Sequence, residues 1–217
     1  MLIQVKMLQI ETKLDFIKYT ILNLGFQVFI TLITSVKNKD TKVNNKWVLL
    51  LASFGLLLII SLMKWLPFFV RFGLLITFSY INGLVLSGIV KHIPKEEVNK
   101  IIQQTFVMFV SLFMVGWYMH YKGVKDVSAL NYAITSLSFV FIGLVVYHMF
   151  VDTSRNFRKL TRTVLIIISS LYIVYDTYYN FSNEISDDIV TSTLNYYLDV
   201  YNIMSSLFSE VIENELL

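Results

Sequence analysis

The sequence predicts an all-α protein, a polytopic membrane protein built as a bundle of seven helices. Of its 217 residues, 56% are hydrophobic and 15% are charged, and the mean hydropathy is +0.64. This apolar content exceeds what a soluble domain of this size can bury. Apolar stretches of about 20 residues, long enough for a helix to cross a ~30 Å hydrocarbon layer, recur along the chain. Because lipid offers the backbone no hydrogen bonds, these stretches are expected to be helices.

Seven segments have the length and polarity of a membrane-spanning helix. The predicted helices are 16–36, 47–63, 68–90, 101–119, 129–151, 160–179 and 189–208. Both prolines, Pro67 and Pro94, fall in the charged connections, where a missing backbone donor costs least. We interpret residues 1–217 as a single transmembrane domain.

The first five segments are distinguished mainly by their length and their small residues. Residues 1–15 lack the apolar core and cleavage site of a signal peptide, so we expect the first helix to act as the membrane signal. Glycines in the third and fifth segments, Gly83, Gly88 and Gly143, are expected to let neighbouring helices approach closely.

The sixth segment carries a narrow polar seam. Arg162, Ser169 and Asp176 recur at intervals of seven residues and therefore share one helix face. Asp176 lies in the apolar stretch L-Y-I-V-Y-D-T. An aspartate at bilayer depth costs about 2.5 to 3.5 kcal/mol on insertion scales, which usually implies a partner, a proton or an ion. The alternative is that Asp176 sits at the headgroup level and caps a helix end.

The seventh segment is the least hydrophobic, and its polar residues form a second stripe. They are Asp188, Ser192, Asn195, Asp199, Asn202 and Ser206, in steps of four and three residues. Such a helix either lines a pathway or lies flat on the membrane surface. Surface helices usually carry Lys and Arg on the polar face, and this stripe has neither. We therefore favour a helix that lines a pathway and faces the seam of the sixth segment.

Two carboxyl groups facing each other across a helix pair have a characteristic chemistry. If Asp176 and Asp199 approach closely, they share a proton and titrate as a unit. The protonated pair can form a hydrogen-bonded latch between helices. The ionised pair repels, hydrates and can attract a hard cation such as Ca²⁺. The expected output is a pH-gated cation path.

The sequences around the two aspartates resemble the paired signatures of the Bax inhibitor-1 family, also called the transmembrane Bax inhibitor motif or lifeguard family, which includes the Golgi anti-apoptotic proteins. The stretches are S-L-Y-I-V-Y-D-T and L-N-Y-Y-L-D-V-Y-N-I-M. Upstream, D-F-I-K-Y-T-I-L-N-L-G-F-Q-V-F-I-T is similar to the first helix of that family, and F-S-Y-I-N-G-L-V-L-S-G-I-V to its third.

The resemblance implies a seven-helix bundle whose last helix is central or re-entrant. It implies a pH-sensitive Ca²⁺ leak from intracellular stores, in the endoplasmic reticulum or Golgi membrane, and suppression of apoptosis. Asp176 and Asp199 occupy the di-aspartyl pH-sensor positions of the family. Asp187 and Asp188 match an acidic pair at a pathway mouth, with a solvated loop as the alternative, and Asn82 matches a polar position of the third helix. Asn195 and Asn202 of the stripe complete the candidate pathway.

Composition and motifs exclude several other functions. The chain has no cysteine, and its three histidines lie on separate segments, so we expect no permanent metal and no cofactor beyond transient Ca²⁺ and protons. The net charge of +3 forms no basic stripe, so no nucleic-acid partner is expected. The expected partners are the lipid bilayer, Ca²⁺ and regulators of cell death.

Two alternatives to the leak channel remain open. One is a non-conducting protein that restrains cell-death partners through helix contacts. The other is an intramembrane aspartyl protease, although the G-x-G-D and P-A-L patterns of presenilin-like enzymes are absent. We expect the protein not to be an enzyme.

Overall fold

The computed structural model describes residues 13–40, 45–151, 154–182 and 188–215. Within these ranges the chain forms seven α-helices and no strand. They are α1 (Lys13–Lys37), α2 (Lys46–Leu62), α3 (Phe68–Val90), α4 (Lys95–Tyr121), α5 (Ser128–Phe150), α6 (Arg155–Ser182) and α7 (Ile189–Glu215). The predicted all-helical bundle of seven helices is confirmed.

Four helices, α1, α4, α6 and α7, are longer than the sequence predicts because their charged ends remain helical. The helix α4 begins at Lys95, directly after Pro94, and its first turn carries Glu96 and Glu97. Acidic side chains in a first turn are favourable because they face the positive end of the helix dipole. The helices α6 and α7 similarly extend to Arg155 and Glu215. Hydropathy detects only the part of a helix that lies in lipid, so these polar turns were missed.

Five of the described helices, α1, α3, α4, α5 and α6, are long and apolar enough to cross a membrane. The helix α2 is apolar but shorter, at 17 residues. The helix α7 has 27 residues, a length of ~40 Å, but is not among the five helices with a sufficiently apolar stretch. The protein is an integral, multi-pass membrane protein.

The last helix occupies the centre of the bundle. It packs against α1, α2, α3, α4 and α6, whereas α5 lies at the periphery against α6. The largest apolar cluster draws more than half of its buried residues from α7. A helix surrounded by protein can carry polar side chains that lipid would penalise. The last helix is therefore central, and it is continuous from Ile189 to Glu215 without a break into half-helices.

Close helix contacts occur at two glycines, one of them predicted. A Cβ on Gly83 of α3 would lie 2.6 Å from the Cβ of Thr34 on α1. A Cβ on Gly116 of α4 would lie 2.5 Å from the carbonyl oxygen of Val174 on α6. The expectation for Gly143 is wrong, because α5 is peripheral and a Cβ there meets nothing within 4 Å.

Candidate functional site

Asp176 of α6 and Asp199 of α7 line the same cavity, which has a volume of about 220 Å³. The other lining residues are Tyr172, Asn195 and Leu198. We call this space the di-aspartyl cavity. Asp199 is only 6% exposed, and Asp176 is half-buried. Asp199 lies ten residues into α7, about 15 Å from the start of that helix, and so is far from either end.

The antiparallel packing of α6 against α7 sets the register between the two aspartates. The hydroxyl groups of Thr177 and Tyr196 are 2.9 Å apart, and Asn180 Nδ2 donates to the Tyr196 hydroxyl at 3.3 Å. Tyr196 is fully buried, so these bonds lie inside the bundle. Because Thr177 directly follows Asp176, this contact also fixes the position of Asp176 relative to α7.

The cavity can hold a proton or a cation, but it is not a ready-made metal centre. When both are ionised, the Asp176 and Asp199 carboxylates repel each other, and the Ser169 hydroxyl lies near Asp199. That hydroxyl makes no hydrogen bond of normal geometry within the described part of the chain. Two carboxylates and the Asn195 amide are oxygen ligands of the kind that Ca²⁺ prefers. No group of three or more His, Cys, Asp or Glu residues that could hold a metal occurs among the described residues.

Asp188 does not line this cavity but lies directly before α7, at one end of the bundle. Its carboxylate accepts hydrogen bonds from the backbone N–H of Thr191, at 3.0 Å, and from the Thr191 hydroxyl, at 3.1 Å. It also forms an ion pair with Arg71 of α3. Partial burial acts to raise the pKa of Asp188, but the hydrogen bonds from Arg71 and Thr191 outweigh it and lower that pKa below its ordinary value. Asp187, the other member of the predicted acidic pair, lies outside the described residues.

Arg71 joins three helices at this end. It is only 3% exposed, and besides its ion pair it donates to the carbonyl oxygen of Ile60 at 2.9 Å and to the Thr191 hydroxyl at 2.8 Å. Ile60 belongs to α2, Arg71 to α3, and Thr191 to α7. We call this group, with Asp188, the Arg71 lock.

A second set of ion pairs holds the opposite end of α7. Glu213 accepts two hydrogen bonds from Arg162, at 2.9 and 2.6 Å, and one from Arg158 at 3.0 Å. Glu213 lies beyond the apolar part of α7. The hydrogen bond from Arg162 is the largest cause that lowers the pKa of Glu213, which is about 2. We call Glu213, Arg158 and Arg162 the Glu213 lock. Arg162 therefore belongs to this lock, whereas Ser169 and Asp176 of the same seam face the region of Asp199.

A comparison with protein families agrees with these features. The model of the family described as inhibitor of apoptosis-promoting Bax1 matches residues 14–214. The chain belongs to the Bax inhibitor-1 family. The match extends over nearly the whole chain and confirms the resemblance seen in the sequence. No protein with curated annotation matches the chain. The protein is a Bax inhibitor-like membrane protein of an anti-apoptotic family.

This Bax inhibitor-1 family member also has a buried polar network that the sequence analysis missed. Along α1, polar side chains recur on the face that meets α3 and α7; they are Thr20, Asn23, Gln27, Thr31 and Thr34. Asn23 Nδ2 donates to Thr193 Oγ1 at 3.2 Å, and Gln27 Nε2 donates to Asn23 Oδ1 at 3.0 Å. Thr31 Oγ1 is 2.7 Å from the Tyr197 hydroxyl. The spacing of three and four residues was a visible signal of this face.

The two remaining candidate asparagines lie apart from the aspartates. Asn82 is buried, its Oδ1 accepts a hydrogen bond from Ser53 at 2.9 Å, and its backbone oxygen accepts one from Tyr201 at 3.4 Å. Asn82 therefore joins α2, α3 and α7 rather than lining the di-aspartyl cavity. Asn202 is half-buried on the polar stripe of α7 and does not line the cavity either.

Proposed function

We propose that this protein is a pH-sensitive Ca²⁺ leak channel of an intracellular membrane, the endoplasmic reticulum or the Golgi, and that it suppresses apoptosis. The observation that carries the proposal is the cavity shared by Asp176 and Asp199. Family membership supports the anti-apoptotic role. No soluble cofactor or nucleic acid takes part; the ligands are protons and Ca²⁺.

Gating follows from the charge of the carboxyl pair. With a proton between them, Asp176 and Asp199 form a hydrogen-bonded contact that holds α6 against α7. When the proton leaves, two negative charges in a poorly solvated space repel each other, and water or a cation must enter. Ca²⁺ then binds through carboxylate and amide oxygens. Flux should therefore increase as the pH rises through the titration of the pair.

The proposed path continues along α7 on both sides of the pair. Asn195 lines the cavity, and Asn202 lies about 5 Å further along the helix than Asp199. Ser192 and Ser206, which lie beyond Asn195 and Asn202 on the same stripe, are buried. Their hydroxyl groups can replace water around a passing ion. In this proposal Asp188 stands at the mouth of the path as part of the Arg71 lock.

The decisive experiment is Ca²⁺ flux in liposomes that contain the purified protein, measured at several pH values. Asp199→Asn and Asp176→Asn are each expected to lower the flux at least about tenfold and to weaken its pH dependence. The reason is that a charge 4 Å from the ion contributes roughly 4 kcal/mol per unit charge at an effective dielectric constant of ~20. A matched control is Asp126→Asn, in an exposed connection where Asp126 accepts a hydrogen bond from the Ser128 backbone.

The control variant should conduct as the unmodified protein does. Circular dichroism and thermal unfolding establish that the aspartate variants keep the bundle. If the unmodified protein and both cavity variants pass Ca²⁺ at the same rate with the same response to pH, the leak assignment is wrong.

The same variants separate the two alternative functions. A non-conducting protein that restrains cell-death partners is favoured by the locks and the α1 network, which hold α7 in place. This alternative predicts no flux from liposomes at any pH, and it predicts that Asp199→Asn protects cells from death as well as the unmodified protein does. An intramembrane aspartyl protease is favoured by two aspartates on adjacent helices. It predicts cleavage of a model transmembrane substrate that Asp176→Ala abolishes, whereas the leak channel predicts no cleavage.

A further inference from the structure

Two adjacent tyrosines of α7, Tyr196 and Tyr197, hold that helix against different neighbours. Both side chains are buried, with 2% and 1% of their surface exposed. The Tyr196 hydroxyl contacts Thr177 of α6, whereas the Tyr197 hydroxyl contacts Thr31 of α1, at 2.7 Å. Thr177 directly follows Asp176, so only the first of these two contacts adjoins an aspartate of the di-aspartyl cavity.

The Tyr196 hydroxyl lies in the middle of a chain of hydrogen bonds along one turn of α6. Thr177 Oγ1 donates its single hydrogen to the carbonyl oxygen of Ile173, at 2.7 Å. The Tyr196 hydroxyl must therefore donate to Thr177 Oγ1, which is 2.9 Å away. The Tyr196 oxygen in turn accepts a hydrogen bond from Asn180 Nδ2, at 3.3 Å. Thr177 and Asn180 are neighbours on one helix face, so α6 is fixed to Tyr196 at two points.

The ring of Tyr196 packs on α4. Its centroid is 5.8 Å from that of Phe109, in an edge-to-face arrangement, and 6.4 Å from that of Phe113. Tyr196→Phe removes the hydroxyl group and keeps these ring contacts. Thr177 also keeps the bond to its own helix, so this variant should remain folded.

Each aspartate lies within one helical turn of this contact. Asp176 immediately precedes Thr177 on α6, and Asp199 is three residues, about 4.5 Å, beyond Tyr196 on α7. Both aspartates lie within electrostatic range of the Tyr196 hydroxyl. The separation of the two carboxyl groups therefore depends on the register that this hydroxyl sets between α6 and α7.

Few other groups can titrate or place a charge beside the pair. Tyr172 of α6 lines the di-aspartyl cavity. The segments 47–62 of α2 and 101–119 of α4 contain no charged residue and no histidine. Arg71 of α3 and Arg162 of α6 belong to the locks at the two ends of α7. The charged residues and histidine of the other two helices lie towards the helix ends; they are Lys13, Asp15, Lys18 and Lys37 on α1 and His148 on α5.

We infer that Tyr196 is a positioning residue for the di-aspartyl pair, because its hydroxyl group holds α6 and α7 in the register that brings Asp176 and Asp199 into one cavity. The inference rests on the proposed gate, in which these two carboxyl groups share a proton. Two close carboxyl groups bind a shared proton more tightly than separate ones, because the proton relieves the repulsion between their charges. Without the Tyr196 hydroxyl the two helices can separate, so the shared proton should leave at a lower pH.

Infrared titration of the full chain in lipid nanodiscs measures this proton. The C=O absorption of protonated carboxyl groups is recorded against pH, and the part that is lost in Asp199→Asn belongs to the pair. In Tyr196→Phe the pH of half-protonation should fall by at least about 0.5 unit, about a threefold loss of proton affinity.

Tyr197→Phe is the matched control. It removes a hydroxyl group from an equally buried ring, and its partner Thr31 also bonds to a carbonyl oxygen one turn back in its own helix, that of Gln27 at 3.1 Å. Because this contact joins α7 to α1, the titration of the pair should be the same as in the unmodified protein.

Thr177→Val tests the same hydrogen bond from the side of α6. It should reproduce the shift, and the double variant with Tyr196→Phe should shift no further, because both substitutions remove one shared interaction. If Tyr196→Phe proves unstable in thermal unfolding, Thr177→Val provides the test.

The result does not depend on whether the protein conducts. A lower pH of half-protonation in Tyr196→Phe and Thr177→Val, with no change in Tyr197→Phe, supports the inference even if the unmodified protein passes no Ca²⁺ in liposomes. Equal titration of all these proteins overturns it, even if the Ca²⁺ flux depends on pH as proposed. An equal shift in Tyr197→Phe also overturns it, since the effect would then be a general loosening of the bundle. If no absorption depends on Asp199, the inference is wrong together with the proposed gate.

Discussion

Arg71→Met is expected to lower the free energy of unfolding by about 3 kcal/mol. Breaking a buried ion pair typically costs 3 to 5 kcal/mol because one charge remains uncompensated. The lower end applies because the Asp188 side chain is 38% exposed and can be partly hydrated. The substitution also leaves the Ile60 carbonyl and the Thr191 hydroxyl without their guanidinium donor. Thermal or denaturant unfolding in detergent, followed by circular dichroism, measures the loss.

Two further variants separate charge from geometry in the Arg71 lock. Arg71→Lys keeps the charge but lacks the planar guanidinium group that donates to three acceptors. Its loss in free energy of unfolding should therefore be roughly half that of Arg71→Met. Combining Arg71→Met with Asp188→Asn removes both charges, and the double variant should be more stable than the sum of the two single effects predicts. A loss below about 1 kcal/mol for Arg71→Met would show that the lock contributes little.

The Arg71 lock should not respond to mild acid. The pKa of Asp188 is lowered in the folded protein, so its stabilising contribution is present above the ordinary carboxyl value of about 3.9 and disappears only as the pH falls through the lower folded value. Glu213 at the other end, with a pKa of about 2, follows the same rule. Both ends of α7 thus stay fixed between pH 5 and 8. If Ca²⁺ flux responds to pH in that range, the ion pairs at the ends of α7 are not the cause. A loss of the response in the Asp176 or Asp199 variants can then be assigned to the di-aspartyl pair.

The sequence predicts the helices well because apolar length is a local property. The segment 68–90 coincides with α3, and the central place of α7 was implied by the resemblance to the Bax inhibitor-1 family. The meeting of Asp176 and Asp199 was also predictable, since a short connection makes α6 and α7 antiparallel neighbours. Their shared cavity therefore follows from two helical patterns and the small number of residues between them.

Long-range pairings were not predictable in this way. Arg71 and Asp188 are separated by 117 positions, and no local pattern identifies the partner of either residue. The bonds of Glu213 to α6 depend on the polar turns that extend both helices, which hydropathy does not detect. By contrast, the polar face of α1 was visible as a repeat of three and four residues, but its role appears only when α3 and α7 supply partners such as Tyr197.

Gly116→Ala is expected to destabilise the protein by about 1 to 3 kcal/mol, the usual cost of overpacking. The new Cβ would lie 2.5 Å from the Val174 carbonyl oxygen and 2.7 Å from the Thr177 Cβ, so α4 and α6 must separate. Gly143→Ala is the matched control in open space and should be neutral or slightly stabilising, because alanine favours a helix over glycine by about 1 kcal/mol. The same unfolding assay compares the two, and equal stability would contradict the close packing of α4 on α6.

The Gly116 substitution should also change conduction without altering either aspartate. Thr177 is the residue that the new methyl group displaces, and its hydroxyl bonds to Tyr196 beside the di-aspartyl cavity. Moving α6 away from α4 therefore shifts Asp176 relative to Asp199. Under the proposed mechanism the pH at which Ca²⁺ flux rises should shift in Gly116→Ala but not in Gly143→Ala. An unshifted pH profile in a destabilised Gly116→Ala protein would mean that the α6–α7 register does not control the gate.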